Sequence, residues 1–324
     1  RRGRYQYLNA SVSELAGIPQ ALAIGADGTV VFPLLAETLM ATDREISIRL
    51  EIEGVTVAGE GQAAVPHARV NSILHETTDE TVTLEADEKH CQIVSSDSEF
   101  RLQTAAAEEF PEIPVFQEEG AYTFDKADFV EMVSKTTFAA HKGKHRYALN
   151  GVLVVVEPTK LRMVATDGRR LALIERKAKN PKLPTVSVIV PTKALEQIIR
   201  VLSDGEETIR MNITENQIVA RTKRATVSAL LVEGHFPPYE SVIPKGADKK
   251  LELNREKFLS AVRRAALLTS EDSSSIFLQL ATNKMVVSSS APETGEAKVE
   301  LPVEYDGEAL EIGFGPEFLV EFLR

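Results

Sequence analysis

The 324-residue chain is longer than one hydrophobic core usually organises, and its 43% hydrophobic and 26% charged content suits two or three folded domains and excludes a disordered chain. A lone cysteine, Cys91, excludes an intramolecular disulfide; no apolar run is long enough to span a membrane, and no secretory core follows the basic Arg1, Arg2 and Arg4. A cytoplasmic protein without a membrane partner is therefore expected. The net charge of −11 opposes nucleic-acid binding by the chain as a whole, yet it is unevenly spread. Residues 1–120 carry 8 basic and 21 acidic groups, residues 121–250 carry 22 and 14, and residues 251–324 carry 7 and 13. The middle third is basic, and at a Debye length of roughly 8 Å the local field decides what is attracted.

In chain order, Ala41-Thr42-Asp43 precedes a strand-like run from Glu45 to Leu50, and Val65-Pro66 and Phe110-Pro111 punctuate the stretch after it. After a linker at Gln117–Gly120, Asp125 stands where an N-cap belongs, before Phe129, Met132, Val133 and Thr136 at the i, i+3, i+4, i+7 spacing of a helix face. Alternating, β-branched runs at Val152–Val156 and Leu161–Ala165 predict strands. They lead to Ala165-Thr166-Asp167 and a further run from Arg170 to Ile174. Val190-Pro191 opens a helix at Thr192 with Leu195, Ile198, Ile199 and Leu202 on one face, and strands are expected at Glu207–Asn212 and Thr226–Val232. Beyond Phe236-Pro237 and a linker at Lys245–Lys249, Asn254 caps a helix carrying Phe258, Ala261, Val262 and Ala265, and a last helix opens at Pro316 with Leu319, Phe322 and Leu323.

These landmarks repeat. Ala-Thr-Asp recurs at an offset of 124, Val-Pro at 125, Phe-Pro at 126, and Pro191 recurs as Pro316 at 125. Each copy reads as strands plus two helices, an α+β layered domain, which gives a threefold internal repeat with domains at 1–120, 121–250 and 251–324. A third copy of the same length would extend past Arg324, so the last domain is expected to be incomplete at its C-terminal end. Gly17-Ile18-Pro19 interrupts the first helix expected of copy one, because proline in a helix interior costs about 3 kcal/mol.

Catalytic chemistry is poorly supported. His141 and His145 have the i, i+4 spacing of zinc ligands, but Gly143 separates them, Lys142 and Lys144 flank them, and no third ligand is spaced nearby. Asp43 and Asp167 resemble a carboxylate dyad until their equivalent places in the repeat are noticed, where a turn role explains both. His90-Cys91 reads as strand surface and core. No phosphate-binding loop, nucleophile elbow or dinucleotide fingerprint occurs, so neither a metal nor a cofactor is expected. A metal-dependent nuclease acting through Asp167 or the pair His141 and His145, and a repeat scaffold that binds only proteins, are the competing readings; the basic middle third argues against the second.

Tyr147–Leu173 (YALNGVLVVVEPTKLRMVATDGRRLAL), Val188–Leu202 (VIVPTKALEQIIRVL), Phe236–Pro244 (FPPYESVIP) and Ser288–Leu301 (SSSAPETGEAKVEL) resemble, in order, stretches of the bacterial DNA polymerase III beta subunit, the sliding-clamp family, over roughly Thr42 to Arg324. The resemblance implies antiparallel sheets outside and helices lining a ring formed by a head-to-tail homodimer. It implies a non-enzymatic processivity factor that encircles double-stranded DNA without sequence specificity, and partners among DNA polymerase III, other polymerases and the clamp loader complex. Phosphate contacts are expected from Lys142, Lys144, Arg146, Tyr147 and Lys193, and from Arg255, Lys257, Arg263 and Arg264, which are four of the seven basic residues after Lys250. The family's peptide-binding groove between domains two and three maps onto Leu149, Thr166, Gly168, Arg170, Leu171, Pro237 and Val242. Its subunit junction maps onto Leu267 and Leu268, with Phe110 opposite them.

Overall fold

Period-two burial in Ile46–Glu51 and Thr81–Ala86, and helical periodicity in Phe129, Met132 and Val133, produce elements that the repeat predicts. The computed structural model describes residues 6–11, 29–33, 38–51, 56–57, 62–87, 89–105, 110–143, 147–203, 205–246, 249–270 and 273–324. The interrupted helix at Gly17-Ile18-Pro19 lies outside the described residues. Two units fold, residues 1–236 and residues 237–324.

In the first unit, copy one supplies strands β1 (Gln6–Ser11), β2 (Thr29–Pro33), β3 (Thr38–Thr42), β4 (Ile46–Glu51), β5 (Thr56–Val57) and β6 (Gln62–Pro66). Helix α1 (His67–Glu76) and strands β7 (Thr81–Ala86), β8 (His90–Val94) and β9 (Glu99–Gln103) come next. Copy two supplies β10 (Tyr122–Asp125), α2 (Lys126–Ser134), β11 (Gly151–Glu157), β12 (Lys160–Thr166), β13 (Leu171–Lys177) and β14 (Val186–Pro191). It continues with α3 (Thr192–Arg200), β15 (Thr208–Ile213), β16 (Gln217–Arg221) and β17 (Ala225–Leu230).

Three antiparallel sheets result, in the orders β5-β1-β7-β8-β9, β10-β15-β16-β17-β4-β3-β2-β6 and β13-β12-β11-β14. The middle sheet joins the two copies. Its seam is the pairing of β17 with β4, which sets Val227 opposite Ile48, both fully buried. Arg221 reinforces the seam by donating to Glu51 at 2.8 Å.

The helix starts match the sequence closely. Asp125 accepts from the Asp128 N–H at 2.9 Å, which satisfies one of the amides left over at a helix start. Phe129, Met132, Val133 and Thr136 are all buried, as their spacing predicts. Pro66 and Pro191 each end a strand and sit just before a helix, where a missing N–H disturbs no helical bond. Phe129, Met132, Leu195 and Ile198 are nearly inaccessible, and each such side chain contributes about 1.5–3 kcal/mol by burial.

The second unit holds α4 (Arg255–Ala266), β18 (Ile276–Ala281), β19 (Lys284–Ala291), β20 (Gly295–Pro302), β21 (Leu310–Phe314) and α5 (Pro316–Leu323). Its single sheet, in the order β20-β19-β18-β21, packs on α4 through Phe258, Ala261, Val262 and Ala265 against Ile276, Met285 and Val287. Asn254 caps α4 by accepting from the Lys257 N–H at 3.0 Å. The Ser289 hydroxyl, buried, donates to Ala265 O at 2.7 Å and ties that helix to the sheet.

Candidate nucleic-acid interface and peptide site

The turn between β12 and β13 holds four of the expected groove residues. Thr166 is buried; its Oγ1 donates to Arg170 O at 2.6 Å and accepts from the Gly168 N–H at 3.1 Å. Asp167 Oδ1 accepts from the N–H groups of Arg169 and Arg170 at 2.9 and 3.1 Å, closing an Asx-type turn. Gly168 adopts φ 88°, a left-handed conformation that costs a side-chain-bearing residue about 1–2 kcal/mol. Arg170 folds back over this turn. Its Nε donates to Asp167 Oδ2 at 3.1 Å, its Nη2 donates to Phe138 O at 2.8 Å, and its Cζ lies 5.4 Å from the centroid of the Phe138 ring. Burial pushes the Asp167 carboxyl up, but the two turn N–H groups and the Arg170 guanidinium outweigh it and hold the carboxyl below its ordinary value. Leu171 and Leu149 are half-buried, and Leu149 O accepts from the His141 N–H at 2.8 Å, which fixes the entry to β11.

Copy one contains the same turn. Thr42 Oγ1 accepts from the Arg44 N–H at 3.0 Å, and Asp43 Oδ1 accepts from the N–H groups of Glu45 and Ile46 at 3.1 and 2.8 Å. Arg44 takes the place of Gly168 and holds φ 75°. The expected turn role of both aspartates is thus what their bonds describe. Here, however, Asp43 Oδ2 accepts from Lys193 at the start of α3. Lys193, expected among the phosphate contacts, is drawn instead to a carboxylate across the seam between the copies, at a turn where Ile46 stands in the place of Arg170.

The other basic candidates divide into two groups. Lys142 is exposed; Lys144 and Arg146 lie outside the described residues, as does the side chain of Tyr147, whose backbone begins a short 3-10 turn, Tyr147–Leu149. On α4, Lys257, Arg263 and Arg264 lie outside the buried stripe and are exposed. Arg255 is exposed too, and its Nη1 donates to Leu323 O at 3.1 Å, at the end of α5.

Pro237 and Val242 belong to the second unit, where both are exposed, Val242 by 66% on the 3-10 turn Glu240–Val242. Leu267 caps α4 and is 77% exposed; Leu268 is half-buried, and its carbonyl accepts from Thr294 Oγ1 at 2.7 Å. Phe110 is half-buried in a bend outside any strand. Phe100, by contrast, lies on β9, the edge of its sheet, and packs with Leu102 against the core. Sequence reading passes over Phe100 and Phe138. Each is a single aromatic in a short run, and only the tertiary fold shows that one lies on an edge strand and the other beneath a guanidinium.

Among the described residues, no three His, Cys, Asp or Glu side chains gather as metal ligands would. His145, spaced i, i+4 from His141 but not expected to form a ligand pair with it, lies outside them. Cys91 is buried on β8, and burial pushes its thiol up to about 12; His90 beside it is half-exposed, matching the expected split between core and strand surface. No helix among the described residues is long and apolar enough to cross a membrane.

Known proteins place this geometry. The N-terminal, central and C-terminal domains of the DNA polymerase III beta subunit match residues 36–114, 123–238 and 240–324. The beta sliding clamp of Escherichia coli K12 is 33% identical over 302 residues, covering 92% of this chain and 80% of that protein, and that of Pseudomonas putida KT2440 is 32% identical over 287 residues, covering 88% and 78%. Among solved structures, the Bacillus subtilis sliding clamp aligns with a TM-score of 0.86 at 25% identity, and the Pseudomonas aeruginosa clamp bound to griselimycin with 0.85 at 28%; each alignment covers 99% of this chain and 90% of the other. Three matched domains in the order that the internal repeat predicts lead to one conclusion: the chain belongs to the DNA polymerase III beta subunit family, the bacterial sliding clamps.

Proposed function

We propose that this sliding clamp acts in DNA replication as a head-to-tail homodimer that encircles duplex DNA and tethers DNA polymerase III, receiving its place on DNA from a clamp loader. The observation that carries the reading is α4, whose buried apolar stripe leaves Lys257, Arg263 and Arg264 exposed in an otherwise acidic C-terminal third. Cations on a helix face meet phosphates without reading bases, which suits a protein that must slide. Lys142 and Arg255 join this set, and Lys144, Arg146 and Tyr147 do so on their motif alone. Lys193 is left out, since Asp43 engages it. A location in the cytoplasm, with no catalytic step of its own, accords with this role.

The second part of the proposal is a peptide site for clamp-binding partners, built on Leu149, Thr166, Gly168, Arg170 and Leu171. Extended peptides gain affinity by placing side chains against preformed apolar surface beside a few fixed polar groups. Pro237 and Val242 are proposed as contacts of the same kind from their exposure in their own unit. Leu267 and Leu268 are proposed for the junction between subunits; a largely exposed leucine beside a half-buried one at a helix end is a natural anchor for a second copy.

Retention on DNA is the direct test. A dimer of about 71 kDa, twice the 35.5 kDa chain, is expected in sedimentation velocity, and loader-assembled protein should stay on nicked circular DNA and leave the same DNA once it is linearised. Replacing Leu267 and Leu268 together by Ala should raise the monomer fraction and abolish retention on circles. Equal retention on circular and linear DNA would refute encirclement, and a dimer undisturbed by the double change would remove the two leucines from the junction.

A further inference from the structure

We propose that Phe138 and Asp167 are positioning residues for the peptide site, and that they act on ligand only by holding the Arg170 guanidinium in one orientation. The inference rests on the peptide-site reading above and adds two residues to it. A free arginine side chain has rotamer entropy to lose when a ligand fixes it. Arg170 has already lost much of that freedom before any ligand arrives. Asp167 Oδ2 holds its Nε at 3.1 Å, Phe138 O holds its Nη2 at 2.8 Å, and the Phe138 ring lies beneath the guanidinium plane, with Cζ 5.4 Å from the ring centroid. Both members of the Asp167–Arg170 pair are mostly shielded, with side-chain exposures of 14% and 16%, so the pair is less screened than a surface salt bridge.

The repeat supplies a control within the chain. The turn at Thr42–Ile46 makes the same backbone bonds, has Ile46 where Arg170 stands, and its aspartate holds Lys193 from another element. The turn therefore does not need an arginine at the place of Arg170 to fold. The Asp167–Arg170–Phe138 arrangement is an addition made in the copy that carries the peptide site. Phe138 reaches it because the 3-10 turn Thr137–Ala139 after α2 packs against β12.

The probe is griselimycin, the ligand of the Pseudomonas aeruginosa clamp structure, titrated calorimetrically into the whole protein. Arg170→Ala should weaken binding about 10-fold or more, and Phe138→Leu and Asp167→Asn about 3- to 10-fold each. Asp167→Asn keeps an oxygen for the turn N–H groups, and Phe138→Tyr, which keeps the ring, should bind as the native protein does. In an Arg170→Ala background the losses from Phe138→Leu and Asp167→Asn should vanish, since both act through that side chain. Losses that persist there, or single variants that bind normally while Arg170→Ala does not, overturn the positioning role and leave the peptide site standing. Normal binding by Arg170→Ala itself overturns both.

Discussion

Thr42–Glu51 and Thr166–Lys177 are the same turn and strand used for opposite ends. In copy one, β4 lies inside an eight-stranded sheet, paired with β17 of copy two, and buries Ile46, Ile48 and Leu50. In copy two, β13 is the edge of a four-stranded sheet, with Leu173 39% exposed. The aspartate of the first turn holds a lysine that belongs to the neighbouring copy; the aspartate of the second holds its own arginine. Backbone hydrogen bonding is preserved between the copies because the threonine and aspartate that make it are preserved. The side chains around that frame decide whether it fastens two copies together or faces a partner.

The largest break in this comparison should come from the strands. Ile48→Ala removes a fully buried side chain at the seam and should cost about 2–5 kcal/mol. Ile174→Ala, at a half-buried place on the edge strand, should cost roughly half as much, since less of its surface is hidden. Urea unfolding of the two variants measures the difference. Equal losses would mean that β4 is not the more tightly packed strand. Next in size is Lys193→Ala, which leaves the Asp43 carboxylate, only 12% exposed, without its cation. The expected loss is about 1–3 kcal/mol, toward the lower end because Lys193 itself is 39% exposed. Hydrogen exchange should quicken in β4 and β17 and stay unchanged in β12 and β13; uniform quickening would deny the contact a local role.

Much of this was legible in the sequence. Recurring dipeptides at nearly constant offsets gave the copies, and helical spacing gave Phe129, Met132, Phe258 and Val262 as core, because burial of one helix face leaves a periodic trace. The turn role of Asp43 and Asp167 could be read from their repetition. Non-local pairing left no such trace. Nothing in the sequence near Lys193 announces Asp43, 150 residues away, so a lysine at a helix start read as a phosphate contact. Phe138 offers Arg170 a backbone carbonyl, a group that every residue carries, so no residue type marks it. The third copy is expected to begin after Lys250, whereas the second compact unit begins at Pro237, since the described residues before α4 join it with only the 3-10 turn Glu240–Val242 to announce it.

The smallest effect should be the most discriminating. Burial raises the Asp43 carboxyl, but its bond from Lys193, the N–H groups of Ile46 and Glu45, and the lysine charge more than reverse this, so the folded pKa lies below the ordinary value, as it does for Asp167. A carboxyl depressed on folding contributes stability that is fully present above its unfolded pKa near 3.9 and is lost as pH falls through the folded value. Each aspartate should therefore make the protein less stable below about pH 4, and each Asp→Asn change should flatten the acid limb of stability against pH. The two should part company in a second background. With Lys193→Ala in place, Asp43→Asn should flatten the limb less than it does in the native protein, because the strongest of the bonds that lower that carboxyl is gone, while the effect of Asp167→Asn should be unchanged. If Lys193→Ala diminished both effects alike, the two turns would be coupled although they lie on different sheets, and the division of labour between glue and site would fail.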